Sequence, residues 1–465
     1  MLDQEQCRQA RLSRDRRFDG LFFVGVKTTG VYCRPICPVR PPLEKNVLYF
    51  PSAIAAANAG FRPCLRCRPD SAPGSAAWQG TFTTLQRALR LIQDGALQQG
   101  DLPALAERLG VSDRYLRQLF ERELGISPKQ YALYQQSLFA KKLLHETKLP
   151  ITDIALASGF HSLRRFNDCF QRQFQLTPRA VRKSNGEAGG GIHLFLASRP
   201  PYHWPLLQRF LVARLIPGLE WCDELSYGRS FRIGTAQGHF TATFDAERCG
   251  FDIALEIDDL QHLAGAVQTI RRVLDLDADI ALIESSIAAV FSVSQLSNKG
   301  PSNSGLPNSG LRLPGIWDPF EAGVRAILGQ QVSVAAARNL VQQVVQAFHP
   351  GDVDSLHYFP QPEQLAQSDL DFLRMPGARK ATLRAFAERA ALQRIGDDPA
   401  ALQGIKGVGP WTIDYIRMRG LSDPDVFLAK DLGVMKALAQ CEHRIDPDAA
   451  APWRSYLTFH LWNRL

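Results

Sequence analysis

Residues 28–41 read TTGVYCRPICPVRP and residues 59–70 read AGFRPCLRCRPD. They place Cys33, Cys37, Cys64 and Cys67 as C-x₃-C, a 26-residue gap, then C-x₂-C. Two close cysteine pairs on either side of a loop are the spacing by which four thiolates surround Zn²⁺ tetrahedrally. Disulfides and four unrelated core thiols are the alternatives. The N-terminal MLDQEQCRQARLSRDRRF has no apolar signal core, and no later segment of the 465 residues is apolar for long enough to span a membrane. A reducing cytosol is therefore expected, and disulfides are not. The stretch predicts a small zinc-binding fold. Cys7, Cys169, Cys222, Cys249 and Cys441 are scattered and read as packing thiols.

The dense, ordered match of these two segments resembles the N-terminal domain of Ada-type alkylation-response proteins. The resemblance implies that all four cysteines bind one Zn²⁺ and that Cys33 accepts a methyl group from a methylphosphotriester in damaged DNA. Metal-bound sulfur stays ionised at neutral pH, and the thiolate is the nucleophile. A Cys₄ site is net negative and repels phosphate, so methylating one sulfur should tighten DNA binding. By the same resemblance Arg40 and Arg62 contact phosphate, with Thr29 beside them; otherwise they are solvated surface groups.

Length and charge bound the remainder. A chain of 465 residues predicts several domains. The net charge of +8 is uneven: residues 1–190 hold 28 Lys and Arg against 16 Asp and Glu, and residues 191–465 hold 26 against 30. The N-terminal part carries the electrostatic footprint of a DNA binder. SNGEAGGG at 184–191 and SVSQLSNKGPSNSGLPNSG at 292–310 are too polar and glycine-rich to bury a core and read as linkers.

Between the cysteines and the first linker lies a duplication. LAERLGVSDRYLRQLFERELG begins at Leu105 and IALASGFHSLRRFNDCFQRQF at Ile154. Ala106 and Gly110 recur as Ala155 and Gly159, and Ser112, Arg114, Leu116 and Phe120 recur as Ser162, Arg164, Phe166 and Phe170. Each copy predicts a short helix, a glycine turn and a second helix with a basic exposed side. That is a helix-turn-helix whose second helix fits the major groove, carrying Arg114 and Arg117 in one copy and Arg164 and Arg165 in the other. An ordinary helical hairpin with solvated arginines is the alternative. With GISPKQY and LTPRAVRK, the stretch resembles the DNA-binding domain of AraC-type regulators.

Beyond the glycine linker, FRIGTAQGHFTATFD and FDIALEI alternate apolar and polar residues, predicting an α+β domain with an antiparallel sheet. No catalytic cluster is visible between 192 and 290. RPPYHWPLLQRFLVAR and RVLDLDAD resemble the N-terminal domain of AlkA-type DNA glycosylases. From 311 onward the pattern is helical. In LQGIKGVGPWTIDYIRMRG, Gly404, Gly407 and Gly409 separate two apolar helical stretches, the pattern of a helix-hairpin-helix that offers backbone amides to a DNA phosphate. PDVFLAKDLGVMKAL follows, with Asp431 just ahead of a helix, a position that an N-cap also occupies.

LRLPG, AILGQQVSVA, GVGPWT, DVFL and PWRSY…FHLW extend the AlkA-type resemblance to the end of the chain. It implies that Asp431 is the catalytic aspartate, that Trp411, Tyr415 and Trp462 form an aromatic base pocket, and that Gln331 stands where the family's intercalating wedge, often leucine, is found. It also implies hydrolysis of the N-glycosidic bond of cationic bases such as 3-methyladenine, with no cofactor for that chemistry. The Schiff-base lysine of strand-cutting relatives is replaced by Trp411, and Lys406 is off register, which predicts a monofunctional enzyme. No Pro-Cys-His run occurs, so no repair of O6-methylguanine is expected.

The expectation is a multidomain α+β protein. A zinc domain at 1–78 precedes an all-α double helix-turn-helix at 83–183. An α+β AlkA N-terminal-like domain at 192–291 precedes an all-α helix-hairpin-helix glycosylase domain at 311–465. Expected partners are alkylated and promoter DNA and RNA polymerase, with no membrane. A monomer in the cytoplasm, at the nucleoid, is expected. A transcription activator whose C-terminal half binds lesions without catalysis is the rival reading.

Overall fold

The computed structural model describes residues 3–464 except 15–17, 20, 38, 52–54, 57–58, 65–66, 68–83, 183–190, 293–308, 350–355, 393–394, 396–398 and 442–444. Most of both expected linkers therefore lies outside the described residues. The chain divides into two compact units, residues 1–194 with 259–268, and residues 195–258 with 269–465.

In the first unit, β1 (Phe23–Val26) pairs antiparallel with β2 (Val31–Cys33) and with β3 (Val47–Phe50), and β4 (Arg62–Pro63) runs parallel to β2. The alternation of this small sheet buries Val24 and Val47 against Cys7 and Phe22 on one side, and Phe23 and Tyr32 with Ala56 on the other. The duplicated segment folds as expected. Helices Leu102–Leu109 and Asp113–Leu124 form one copy, and Ile151–Ala157 and Leu163–Phe174 the other. Gly110 and Gly159 turn the chain at φ of 69° and 80°, a left-handed conformation that side chains other than glycine resist. Ser112 and Ser162 then cap the second helices by accepting from the amides of Tyr115 (3.2 Å) and Arg165 (3.3 Å). Leu116 and Phe120, and likewise Phe166 and Phe170, are fully buried, so the opposite helix faces look outward. The helix Pro128–Glu146 separates the copies, and its Tyr134 hydroxyl lies 2.8 Å from that of Tyr32.

The second unit joins a sheet to a helical body. β6 (Glu220–Cys222), β7 (Ser226–Ile233), β8 (Ala236–Asp245) and β9 (Gly250–Ile257) are antiparallel neighbours, with β5 (Ile192–Ala197) beyond β9. The helices Pro319–Gly329, Val334–Ala347 and Gly377–Leu392 pack Val324, Ile327, Val344, Leu383 and Phe386 into a closed core. A buried ion network fastens sheet to helices. Arg229 on β7 reaches Glu321 (2.8 Å), and Arg325 reaches both Glu321 (2.8 Å) and Glu220 (3.0 Å). Removing one member strands a buried charge, at about 3–5 kcal/mol. The site built on this unit thus rests on a fixed frame.

Candidate functional sites

At the cysteine site, β2 delivers Cys33 at its end, and Cys37 follows in a turn closed by its amide to the Arg34 carbonyl (3.1 Å). Cys64 follows β4, its amide bonded to the Tyr32 carbonyl (2.9 Å). The Arg34 amide donates to Cys67 Sγ (3.4 Å), and the Arg34 guanidinium is paired with Asp19. All four sulfurs lie within 4.8 Å of one another. Sulfurs this close compete for the same protons. Hydrogen bonding to Cys37, then to Cys64 and Cys67, pushes the Cys33 thiol up, while hydrogen bonding to Cys33 pulls Cys64 down. A divalent cation accepting four sulfur lone pairs removes that conflict, and an all-cysteine set suits Zn²⁺. Cys64 and Cys67 are buried, whereas Cys33 and Cys37 are half-buried. Thr29, Arg40 and Arg62 are exposed, and the Arg62 amide bonds the Gly30 carbonyl (2.8 Å), which holds Arg62 near Thr29. Arg34, not singled out by sequence, orders the site through its own amide. Arg114, Arg117, Arg164 and Arg165 are all exposed on the second helices of their pairs.

In the second unit, Pro399–Gly404, a tight turn and Pro410–Tyr415 form the helical hairpin. Gly407 has φ of 90°, and a Cβ there would meet Thr382 Oγ1 at 2.3 Å, whereas at Gly404 and Gly409 a Cβ would meet nothing. The turn's carbonyls are tied down: Thr382 Oγ1 donates to Lys406 O (2.9 Å), and Gln330 Nε2 donates to Gly407 O (3.0 Å). The amides of Lys406, Gly407 and Gly409 have no hydrogen-bond partner among the described residues. Free amides before a helix N-terminus make an anion cradle. Gln330 also donates to Thr412 Oγ1 (3.1 Å), and the next residue, Gln331, is exposed at φ of 58° on the turn after Pro319–Gly329. The expected wedge residue and the hairpin are thereby joined.

Asp431 caps the helix Leu432–Ala439, accepting from the Val434 amide (3.1 Å). Its carboxylate does more than cap. Trp462 Nε1 donates to Oδ1 (2.8 Å) and Trp411 Nε1 to Oδ2 (3.2 Å). The two tryptophans expected in the base pocket thus grip the expected catalytic carboxylate by their polar edges. Their rings continue a closed circuit. Trp411 lies against Tyr415 (5.4 Å between centroids), and Trp462 stacks with Phe210 (6.4 Å, 16° between planes). The Arg419 guanidinium bridges the gap, 4.8 Å from the Phe210 ring and 5.9 Å from that of Tyr415. Phe210 belongs to the stretch in which the sequence shows no catalytic cluster, and its neighbour Arg214 stands over the same ring. Their only signal was the RPPYHWPLLQRFLVAR segment itself.

Comparison with known proteins accords with this layout. The metal binding domain of Ada matches residues 6–70, a helix-turn-helix domain residues 105–184 and the AlkA N-terminal domain residues 193–318. The probable bifunctional transcriptional activator/DNA repair enzyme AlkA of Mycobacterium tuberculosis is 38% identical, over 100% of this chain and 97% of the relative. The chain belongs to this family. Two relatives match separate parts of the bifunctional AlkA-type chain. DNA-3-methyladenine glycosylase 2 of Escherichia coli (strain K12) is 32% identical over 57% of this chain and 94% of the relative. The bifunctional transcriptional activator/DNA repair enzyme Ada of the same organism is 37% identical over 30% of this chain and 38% of the relative. Membership makes the chain a DNA glycosylase joined to a zinc-binding, helix-turn-helix regulator of the alkylation response.

Proposed function

We propose that the second unit hydrolyses the N-glycosidic bond of alkylated bases such as 3-methyladenine, with Asp431 as its catalytic carboxylate. The observation that carries this is the Asp431 carboxylate held by the indole N–H groups of Trp411 and Trp462 at the edge of an aromatic ring system. The target base leaves the duplex and lies against these π faces, which attract an electron-poor cationic ring. The C1′–N bond breaks with its electron pair passing to the base, and the carboxylate steadies the oxocarbenium charge left on the sugar. Water then bonds to C1′ and gives up a proton. Gln331 fills the space the base has left, and the Gly404–Gly409 turn holds the phosphate backbone. Trp411 at the Schiff-base position leaves the strand intact, so the enzyme is monofunctional. This chemistry uses no cofactor.

In the first unit, Cys33, Cys37, Cys64 and Cys67 would hold Zn²⁺, which keeps sulfur ionised at neutral pH. The Cys33 sulfur attacks the methyl carbon of a phosphotriester, the C–O bond breaks, and the phosphodiester oxygen keeps the electron pair. Half-burial favours Cys33 over the buried Cys64 and Cys67 as acceptor. Thr29, Arg40 and Arg62 hold the surrounding backbone. Loss of one negative charge then strengthens promoter binding through Arg114, Arg117, Arg164 and Arg165, and RNA polymerase is the partner of the bound activator. The domains behind these roles are 1–78, 83–183, 192–291 and 311–465, in a cytoplasmic monomer. No helix among the described residues is long and apolar enough to cross a membrane.

Incubating the full chain with methylated duplex DNA tests both halves. The expected result is free methylated base, an abasic strand broken only by alkali, no borohydride-trapped adduct, and one added methyl on Cys33. A trapped adduct would overturn the monofunctional assignment, and methylation of another cysteine would overturn that of Cys33.

A further inference from the structure

We propose that Arg214 is a specificity-determining residue of the base pocket, which ranks lesions by the charge of the departing base. The inference rests on the glycosylase reading above. Arg214 follows the helix Trp204–Val212, and its carbonyl is fixed by Arg325 Nη1 (3.3 Å). Its Cζ lies 3.7 Å over the Phe210 ring, and Nη1 donates to the Phe210 carbonyl (3.3 Å). Phe210 stacks with Trp462, which in turn holds Asp431, so the guanidinium is two ring contacts from the catalytic carboxylate. Nε and Nη2 of Arg214 have no acceptor among the described residues. Burial pulls this guanidinium down to about 10, which leaves it a cation at neutral pH. Tyr415 and Asp431 are among the groups whose charges act on it.

A fixed cation here does not treat all bases alike. A neutral base departs with the glycosidic electron pair and so gains negative charge in the transition state. Arg214 attracts that charge, and its free N–H edge can donate to a lone pair on the base. An N-alkylated purine enters already positive and departs neutral. Arg214 repels it in the bound ground state, and less in the transition state, where the charge has moved from the base to the sugar beside Asp431. Relative to free enzyme and substrate, the arginine therefore speeds release of neutral bases and adds little for cationic ones. For a cationic base it raises KM and kcat together. It offsets, for neutral lesions, the advantage that electron-rich aromatic walls give to cations.

The test uses the full chain and two duplexes, one carrying 7-methylguanine as the cationic base and one carrying hypoxanthine as the neutral base. Arg214→Met keeps an apolar stem on Phe210 and removes the charge, and Arg214→Lys returns the charge. Melting of each variant is compared with wild type. Arg214→Met should lower kcat/KM on hypoxanthine by on the order of tenfold, as unit charges several Å apart at a half-buried site imply. On 7-methylguanine kcat and KM should fall together. Arg214→Lys should restore much of the hypoxanthine loss. Equal loss of kcat/KM on both bases, with Lys no better than Met, would assign Arg214 a packing role and overturn the proposal. Wild-type release of 7-methylguanine with none of hypoxanthine would overturn it while leaving the glycosylase reading intact. Release of neither base by wild type would defeat that reading and this proposal together.

Discussion

Replacing Asp431 by asparagine separates charge from architecture at the proposed catalytic centre. Oδ1 of Asp431 accepts from Trp462 Nε1 (2.8 Å) and the Val434 amide (3.1 Å), and Oδ2 accepts from Trp411 Nε1 (3.2 Å). Asparagine has one carbonyl oxygen. Placed to keep the two bonds at Oδ1, it turns its NH₂ toward the Trp411 indole N–H, donor against donor. That mismatch at a half-buried position should destabilise the fold by about 1–2 kcal/mol. Catalysis loses the charge that steadies the oxocarbenium ion, typically about 10²-fold or more, roughly 3 kcal/mol. The two effects part in the double variant Trp411→Phe/Asp431→Asn, where the opposing donor is gone. Its stability should return toward that of Trp411→Phe alone, while its turnover stays as low as that of Asp431→Asn. The assays are single-turnover release of 3-methyladenine and denaturant unfolding of the same preparations. Binding to an abasic-site analogue should survive, because the hairpin amides proposed to hold phosphate are untouched. Release by Asp431→Asn at near wild-type rate would refute the catalytic role. Recovery of rate together with stability in the double variant would mean that the aspartate serves only as a clamp.

The zinc assignment predicts a single zinc per chain that a Cys64→Ser/Cys67→Ser variant fails to retain, and unfolding of the N-terminal segment on chelation. Full metal content in that variant, by atomic absorption, would exclude these ligands. Gln330→Ala removes two hydrogen bonds between the wedge turn and the hairpin, to Gly407 O and Thr412 Oγ1. It should destabilise by about 1–2 kcal/mol and weaken binding to abasic DNA, as titration against a fluorescent duplex would read. His460, buried in Arg454–Trp462, is held down to about 4 by burial and then by Arg464. Its folded value lies below its unfolded one, so the stability it contributes is present above pH 6.5 and is lost as pH falls through about 4. The stability gap between wild type and His460→Gln should therefore shift against wild type by about 2 kcal/mol between pH 7 and pH 4.5. An unchanged gap would place the imidazole in solvent.

The sequence features that proved legible are those whose meaning is local. Paired cysteines separated by a loop imply their own convergence. The recurrence of Gly110 and Ser112 as Gly159 and Ser162 fixes a turn and a cap within a few residues of chain. Gly407 signals its left-handed turn in the same way. The surroundings of Asp431 were legible only in part. An aspartate before a helix shows its capping role, but nothing in the pattern says that Trp411 and Trp462 would meet it by their N–H edges rather than their faces. Phe210 and Arg214 escaped because their significance lies in the contact of Phe210 with Trp462, near the far end of the chain, and of Arg214 with Phe210. Within RFLVAR they read as the apolar and polar sides of an ordinary amphipathic helix. The Arg229–Glu321–Arg325–Glu220 network was hidden for the same reason, since each charge looks solvated until sheet and helices close over it. Nor does a glutamine announce the positive φ that exposes Gln331.

The uneven charge of the chain gives the fusion a physical rationale. Residues 191–465 hold more acidic than basic side chains, 30 against 26, yet they must engage a polyanion. On the reading proposed above, their affinity for DNA comes from local devices, namely three hairpin amides without partners among the described residues and a pocket for an extruded base. Such devices act over a few ångströms and add little to long-range encounter. Residues 1–190 hold 28 basic against 16 acidic side chains and supply the attraction that reaches across a Debye length. Joining the two in one polypeptide raises the concentration of the glycosylase near DNA without adding further positive charge around its pocket. Methylation of the cysteine site would strengthen the same attraction by removing a negative charge from the half that provides it. The methyl mark would then act on repair as well as on transcription, because a tighter hold by the regulatory half lengthens the time the catalytic half spends beside damaged DNA.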